Sequence, residues 1–395
     1  MNLKKLPKRQ SHLEYYQQHG IAPVRYDLSN LDAHFDRRRS LYNKLGLTAL
    51  ALSGADILEI AAGTGHNSLY LAAQQPQTLT LLEPNPTAIK HIHETYAAYG
   101  RQFVVPKIIT EKLEDFQPSA EFDIVLCENW LGTSAHESGL LEKLIGFVRP
   151  GGVLVLTTVS PIGFVPNLLR RFFANHVVDL GLPFDERTVR LEQAFASHLR
   201  TLGAMTRNLT DWVHDNMMNP AYFGLCLSAP RALDLLGSRF EVLGTYPCFV
   251  EDWRWFKQLH GDAREINQHF LGEYWQKCHN FLDTRRAPFL ADAATNQGLE
   301  IAADKLLRAI EANEDAMFHS GNVQETADTV VQRLTDFIEL VPEECTEARV
   351  GLGEAQALAV RPSVLTVADV ASMHDFTGLF GRETSYLSLE RSVNP

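Results

Sequence analysis

Ile57-Leu58-Glu59-Ile60-Ala61-Ala62-Gly63-Thr64-Gly65-His66-Asn67 is the stretch on which the reading of this chain turns. A branched apolar run carrying one acid gives way to small residues, and a helical pattern starts at Asn67. Small residues at such a bend let backbone come close to a ligand, and the free N–H groups of the following helix suit an anionic group.

Working outward, β-branched runs predict strands at 56–61, 78–83, 103–109, 122–127 and 152–159. Helical spacing between them predicts helices at 67–73, 86–99 and 138–148, the last stopped by Pro150-Gly151. Strands alternating with helices define an α/β class, a doubly wound, mostly parallel sheet. The expected organisation is an N-terminal helical lid segment over 1–50, the α/β core over 51–160 and a helical cap over 161–229. A return to the sheet over 230–260 is expected next, including a strand at 240–250, then a helical bundle over 261–345 and a C-terminal segment over 346–395. Within the cap, helices are expected at 167–180 and 187–204. In the last segment Ser385-Tyr386-Leu387-Ser388-Leu389 reads as a final strand; if it rejoins the sheet, 251–380 is an insertion.

The glycine spacing separates two ligand classes. A dinucleotide turn expects G-x-G-x-x-G, and the corresponding positions here are Ala61, Gly63 and His66. The segment instead resembles the first motif of class I S-adenosylmethionine-dependent methyltransferases, an acid followed by G-x-G-x-G, with Ala61 in place of the first glycine. The resemblance implies a Rossmann-like fold, S-adenosylmethionine as cofactor and S-adenosylhomocysteine as product. It implies a cofactor site drawn from Glu59, Ala61, Gly63, Gly65, Asn67, Glu83, Pro84, Glu111, Lys112, Leu113, Glu128 and Asn129. Glu83, ending the second strand, can accept hydrogen bonds from two ribose hydroxyls. The resemblance places Glu111 where the family contacts the adenine amino group, with Glu114 and Asp115 equally available for that contact.

The loop Glu128-Asn129-Trp130-Leu131-Gly132, with Glu137 beyond it, resembles a loop of protein arginine methyltransferases in which two carboxylates hold a guanidinium. Asn129 is an extra residue in that pattern, and helices rather than a β-barrel are expected after Ser160. Candidate acceptor-binding residues are Tyr15, Tyr16, His19, Trp130, Glu137, Trp212, Asp215 and Asn216, the first three in an aromatic segment that would close over the ligands. Glu128, His136 and His214 are candidate bases, with His66 a weaker one. Asp215 and Asn216 lack a partner after the fifth strand, so no metal is expected.

Charge and cysteines narrow the partners. A formal charge of -12 disfavours broad phosphate binding, and the Arg37-Arg38-Arg39 triplet reads as a solvated helix face, so no nucleic acid is expected. Five cysteines without a C-x-x-C pair fit a reducing cytoplasm, and no membrane segment is expected. The functional expectation is an enzyme that methylates oxygen or nitrogen of a small molecule, a metabolite or sugar. Two alternatives stand beside it: a protein or guanidino N-methyltransferase using Glu128 and Glu137, and a noncatalytic cofactor-binding subunit. A homodimer through the helical regions is one further expectation.

Overall fold

Ser11 opens the chain's first helix with a capping box: its hydroxyl accepts from the Glu14 amide while the Glu14 carboxylate accepts from the Ser11 amide. In this computed structural model the described residues are 10–22, 25–132, 137–203, 205, 207–220, 224, 226–319 and 321–393, excepting the side chains of 137 and 138. The N-terminal helices are α1 (His12–His19), α2 (Leu31–Lys44) and the single turn α3 (Ala49–Leu52). The core follows as β1 (Asp56–Ile60), α4 (Ser68–Ala73), β2 (Thr78–Leu82), α5 (Pro86–Tyr99), β3 (Lys107–Ile109), β4 (Phe122–Cys127), α6 (Glu137–Ile145) and β5 (Val148–Val159). Beyond it come α7 (Pro161–Val177), α8 (Phe184–Leu199), α9 (Leu209–Trp212) with a π-helical turn at Val213–Met218, α10 (Ala229–Leu236) and β6 (Phe240–Tyr246). The C-terminal part holds α11 (Ile266–Lys277), α12 (Ala293–Phe318), α13 (Val323–Leu340), α14 (Thr346–Ala359), α15 (Val367–Ala371) and β7 (Thr384–Arg391).

The seven strands lie in the order β3-β2-β1-β4-β5-β7-β6. The first five are parallel, and β7 is antiparallel to both β5 and β6. Strand order therefore reverses between β1 and β4, and ligands of open α/β sheets bind beyond the carboxyl ends at such a point. Successive side chains go to opposite faces: Ile57, Ile124, Leu126 and Val155 join one core, Leu58, Val125, Leu154 and Leu156 the other. The second core runs on without interruption into α7, α8 and α12. Because β7 sits between β5 and β6, residues 251–380 are an insertion within the sheet's chain order. The insertion is fastened to α7 by a buried, bidentate Arg171–Glu314 pair, with Nε and Nη2 at 2.9 and 2.8 Å from the two carboxylate oxygens.

Five expectations about elements need correction. The helix expected at 138–148 stops at Ile145, and Val148 already pairs with Phe122, so Pro150-Gly151 does not end a helix. That dipeptide lies in a register shift of β5 between the Phe122–Val148 and Ile124–Val153 pairs, where Gly151 takes a φ of 76°. The cap helix begins at Pro161, six residues before the expected 167, with Ser160 as its N-cap and Pro166 inside it. Pro161 sits where a missing N–H costs nothing, whereas Pro166 leaves one carbonyl of the first turns without its donor. The strand at 103–109 shortens to Lys107–Ile109 because Pro106 has no N–H to give the ladder, and the strand at 240–250 ends at Tyr246 before Pro247. The helix expected at 187–204 spans Phe184–Leu199. No described helix is long and apolar enough to cross a membrane.

Candidate functional site

At the end of β1 the chain makes its bend in left-handed backbone: φ is 54° at Ala61, 58° at Gly63 and 76° at Gly65. Alanine at the first of these carries a steric cost of about 1–2 kcal/mol that glycine would not. Gly65 is constrained twice, since a Cβ there would also meet Ile92 Cγ1 at 3.1 Å. A Cβ on Gly63 would meet nothing nearer than 4.0 Å, so the space beside it is open.

The bend forms one wall of a cavity of about 440 Å³ at the carboxyl ends of the parallel strands. Glu83, just past β2, ties the cavity together: one carboxylate oxygen accepts from the Gly63 amide at 2.8 Å and the other from the Asn85 amide at 2.8 Å. Burial pushes the Glu83 carboxyl up to about 7, against those two bonds, which favour the charged form. Glu59 is also buried, and burial, with the neighbouring Glu128 adding, pushes it up to about 8. Its Oε2 is buried without a hydrogen-bond partner among the described residues, so the cavity holds an acceptor that none of them satisfies.

Beside Glu59, the Arg38 guanidinium donates from Nη2 to both oxygens of Glu128, at 2.8 and 2.7 Å, and the Tyr42 hydroxyl donates to Oε1 at 2.8 Å. Arg38 is buried, which corrects the reading of the arginine triplet as a solvated face. Its neighbours Arg37 and Arg39 are exposed, but the helical turn carries the middle residue inward against Tyr42. A lone buried arginine inside an exposed triplet leaves no signal in the sequence except its position on the apolar side of α2, opposite a carboxylate more than eighty residues away.

The opposite wall comes from α1 and the π-helical turn. The Tyr16 hydroxyl donates to Asp215 Oδ1 at 2.5 Å, and Arg207 Nη2 donates to Asp215 Oδ2 at 2.6 Å. Burial alone would raise the Asp215 carboxyl, but the Arg207 charge and these hydrogen bonds hold it below the ordinary range. Two more contacts fasten the same segment: Tyr15 donates to the His214 carbonyl at 3.2 Å, and Arg25 holds Asp211 in a fork at 3.0 and 2.7 Å.

The cavity brings together Glu59, Ala61, Gly63, Asn67, Glu83, Pro84, Glu128 and Asn129 with Tyr16, Trp130, Asp215 and Asn216. Several candidates stand elsewhere. Gly65 is buried behind the bend, Glu111 and Lys112 face solvent after β3, and Leu113 packs into the core. Tyr15 is buried beside the cavity, and His19 stacks on Phe184 with ring centroids 3.9 Å apart. Trp212 packs against Phe195, and His214 Nε2 lies 3.0 Å from Thr188 Oγ1, so neither side chain lines the cavity. His66 does line it, but its Nδ1 accepts from the Tyr26 amide at 2.9 Å, and burial lowers it to about 4. His136 and the side chain of Glu137 lie outside the described residues. Tyr26, Thr157, Arg207, Glu383 and Tyr386 also line the cavity and were not among the sequence candidates. They lie on segments distant in sequence, and only the sheet topology brings them to one place.

A seven-stranded sheet of this order, with its cavity at the β1 switch point behind a left-handed small-residue bend, makes a Rossmann-like α/β domain. Residues 58–154 match a family model described as a methyltransferase domain. Among curated relatives the chain is 30% identical, over 29% of its length and 41% of the relative's, to phthiotriol/phenolphthiotriol dimycocerosates methyltransferase 1 of Mycobacterium ulcerans (strain Agy99). It is 28% identical, over 34% of its length and 51% of the relative's, to malonyl-[acyl-carrier protein] O-methyltransferase of Paenibacillus sp. (strain JDR-2). The chain thus spans about half, or less, of the length of these relatives. Among solved structures it is similar to the N-methyltransferase NodS of Bradyrhizobium japonicum WM9 in complex with S-adenosyl-l-homocysteine. That match has 21% identity over 37% of this chain and 73% of that one, at a TM-score of 0.29.

Proposed function

We propose that this protein transfers a methyl group from S-adenosylmethionine to oxygen or nitrogen of a small-molecule acceptor. The observation that carries the reading is the pairing of the left-handed bend with two buried carboxylates, Glu59 and Glu83, at the ends of adjacent strands. The unsatisfied Oε2 of Glu59 suits the cofactor's ammonium, Glu83 suits the ribose hydroxyls, and the open space beside Gly63 accepts the amino-acid end.

When bound, the cofactor supplies an electrophilic methyl on a sulfonium. The residues of the chain then have to orient an acceptor and keep water away. Orientation of this kind lowers a barrier by several kcal/mol, about 7 to 11 in favourable cases. The contacts of Tyr16 with Asp215, Tyr15 with the His214 carbonyl and Arg25 with Asp211 hold the N-terminal segment across the cavity, where it excludes solvent.

A guanidino or protein-arginine acceptor held by Glu128 and Glu137 is the less favoured reading. Glu128 already holds a guanidinium of this chain, and such an acceptor would have to displace Arg38. The test is transfer of label from methyl-labelled S-adenosylmethionine to a cell extract separated into small molecules and protein. Label in the small-molecule fraction is expected. Label in protein alone would favour the guanidino reading, and none anywhere would favour a noncatalytic binding subunit.

A further inference from the structure

Two glycines, one next to the cavity-lining Phe164 and one two residues before the cavity-lining Glu383, bring distant backbone into contact. A Cβ on Gly163, in the first turn of α7, would lie 2.1 Å from the Arg382 carbonyl oxygen, and one on Gly381 would lie 2.0 Å from the Gly163 carbonyl oxygen. Only residues without a Cβ let these segments touch. Next to the contact the Ser160 amide donates to the Glu383 carbonyl at 2.8 Å, and Thr384 pairs with Val159 as β7 begins. The close approach thus delivers Glu383, from the far end of the insertion, to the carboxyl end of β5, where ligands of such sheets bind. Its side chain lines the cavity, and Oε2 accepts from Asn167 Nδ2 at 2.9 Å. Neither the bend nor Glu83 makes use of it.

We propose that Glu383 takes the proton of the methyl acceptor, and that the acceptor atom is therefore the oxygen of a hydroxyl or the nitrogen of an amine, not a carboxylate. This rests on the methyl-transfer reading above. A lone pair of the acceptor atom forms the new bond to the methyl carbon as the carbon–sulfur bond breaks, and that bond's electron pair stays on sulfur. The acceptor's proton passes to the Glu383 carboxylate and from there to water. Burial raises the proton affinity of Glu383, and the Asn167 hydrogen bond opposes it. The charges that face it are Asp215, which raises it further, and Arg207 and Arg170, which lower it; Tyr16 reaches it only through Asp215. A carboxylate acceptor has no proton for Glu383 to take and would add a further negative charge beside Glu383 and Asp215, with Arg207 already engaged by Asp215.

The test compares wild type with Glu383→Gln, in which the amide oxygen can still accept from Asn167. Two quantities are measured across pH: S-adenosylhomocysteine affinity by calorimetry, and label transfer from methyl-labelled S-adenosylmethionine into the small-molecule fraction of a cell extract. Wild-type affinity at each pH, with transfer at saturating S-adenosylmethionine lowered about 10²- to 10⁴-fold and its acidic fall abolished under that saturation, is the expected result. Glu383→Asp, which keeps the carboxylate, should retain a pH-dependent residual rate, and the exposed control Glu390→Gln should behave as wild type. Transfer by Glu383→Gln at the wild-type rate, or a methyl ester as the labelled product, overturns the assignment of Glu383 alone. Absence of transfer by the wild-type protein overturns the methyl-transfer reading and this assignment with it.

Discussion

Arg38 and Glu128 form an ion pair in which one guanidinium nitrogen serves both carboxylate oxygens, at 2.8 and 2.7 Å, with 8% and 5% of the two side chains exposed. The pair joins α2 to the end of β4 directly beside the cavity. Removing one partner of a buried pair leaves an uncompensated charge, at a cost of about 3–5 kcal/mol, whereas replacing both by apolar residues is often neutral. Arg38→Met should therefore lower unfolding stability in urea by about that amount, and the double change Arg38→Met, Glu128→Leu should recover most of it. Equal stability of Arg38→Met and wild type would show that the pair does not join α2 to the sheet.

The bend predicts a graded series. Gly65→Ala meets both a left-handed backbone and the Ile92 contact, while Gly63→Ala meets only the first. Left-handed alanine costs about 1–2 kcal/mol. Gly65→Ala should destabilise more than Gly63→Ala, and Ala61→Gly should be tolerated without loss. Thermal midpoints in the reverse order would contradict the geometry described for the bend.

Much of this arrangement was legible in the sequence, for reasons the residues make plain. The acid at Glu59, the small residues after it and Glu83 at a strand end are local patterns, and the family resemblance they carry implied one site for them. Leu387 and Leu389 alternate with polar neighbours, which is why the last strand could be read, while its pairing with β5 and β6 comes from the structure. Arg38, Arg207 and Glu383 were not readable. Each acquires its role from a partner on another element, namely Glu128, Asp215 and Asn167, and no local period encodes such a pairing. The Pro150-Gly151 pair misled because it signals a break in either a helix or a strand, and here it marks a shift inside β5.

Ligand binding should release protons. Burial pushes Glu59 and Glu83 up to about 8 and about 7, so both are largely protonated at mildly acidic pH. An ammonium beside Glu59 and hydroxyls donating to Glu83 favour the charged forms and lower both values. S-adenosylhomocysteine should bind more weakly as pH falls from about 8 to below 7, and its binding heat should vary with the buffer's ionisation enthalpy. A buffer-independent heat across this range would count against those two contacts.

Acid stability has the same sign but rests on other residues. Burial lowers His34, His66, His198 and His279 from 6.5 to about 4. Between those values the unfolded chain binds protons that the folded chain does not, so stability is full above about 6.5 and is lost as pH falls towards 4. Glu59 and Glu83 oppose this, because their raised values make the folded state bind more protons than the unfolded one as pH rises from about 4.5. Burial also lowers His19, His176 and His214 and raises Glu300 and Glu383, so the shifted histidines outnumber the raised carboxylates and thermal midpoints should drop on going from pH 6.5 to 4.5. A midpoint that rose over that interval would mean the histidines are not held neutral.

The most direct measurement is calorimetry of S-adenosylhomocysteine with the wild-type protein and with Glu83→Ala, NADH serving as the competing ligand. Hydrogen bonds to a charged group contribute about 1.5–3 kcal/mol, so the variant should bind roughly 10- to 100-fold more weakly. NADH should give no binding heat with either protein. Equal affinity of the two proteins for S-adenosylhomocysteine, or binding of NADH in its place, would contradict the assignment of this cavity to a methyl donor.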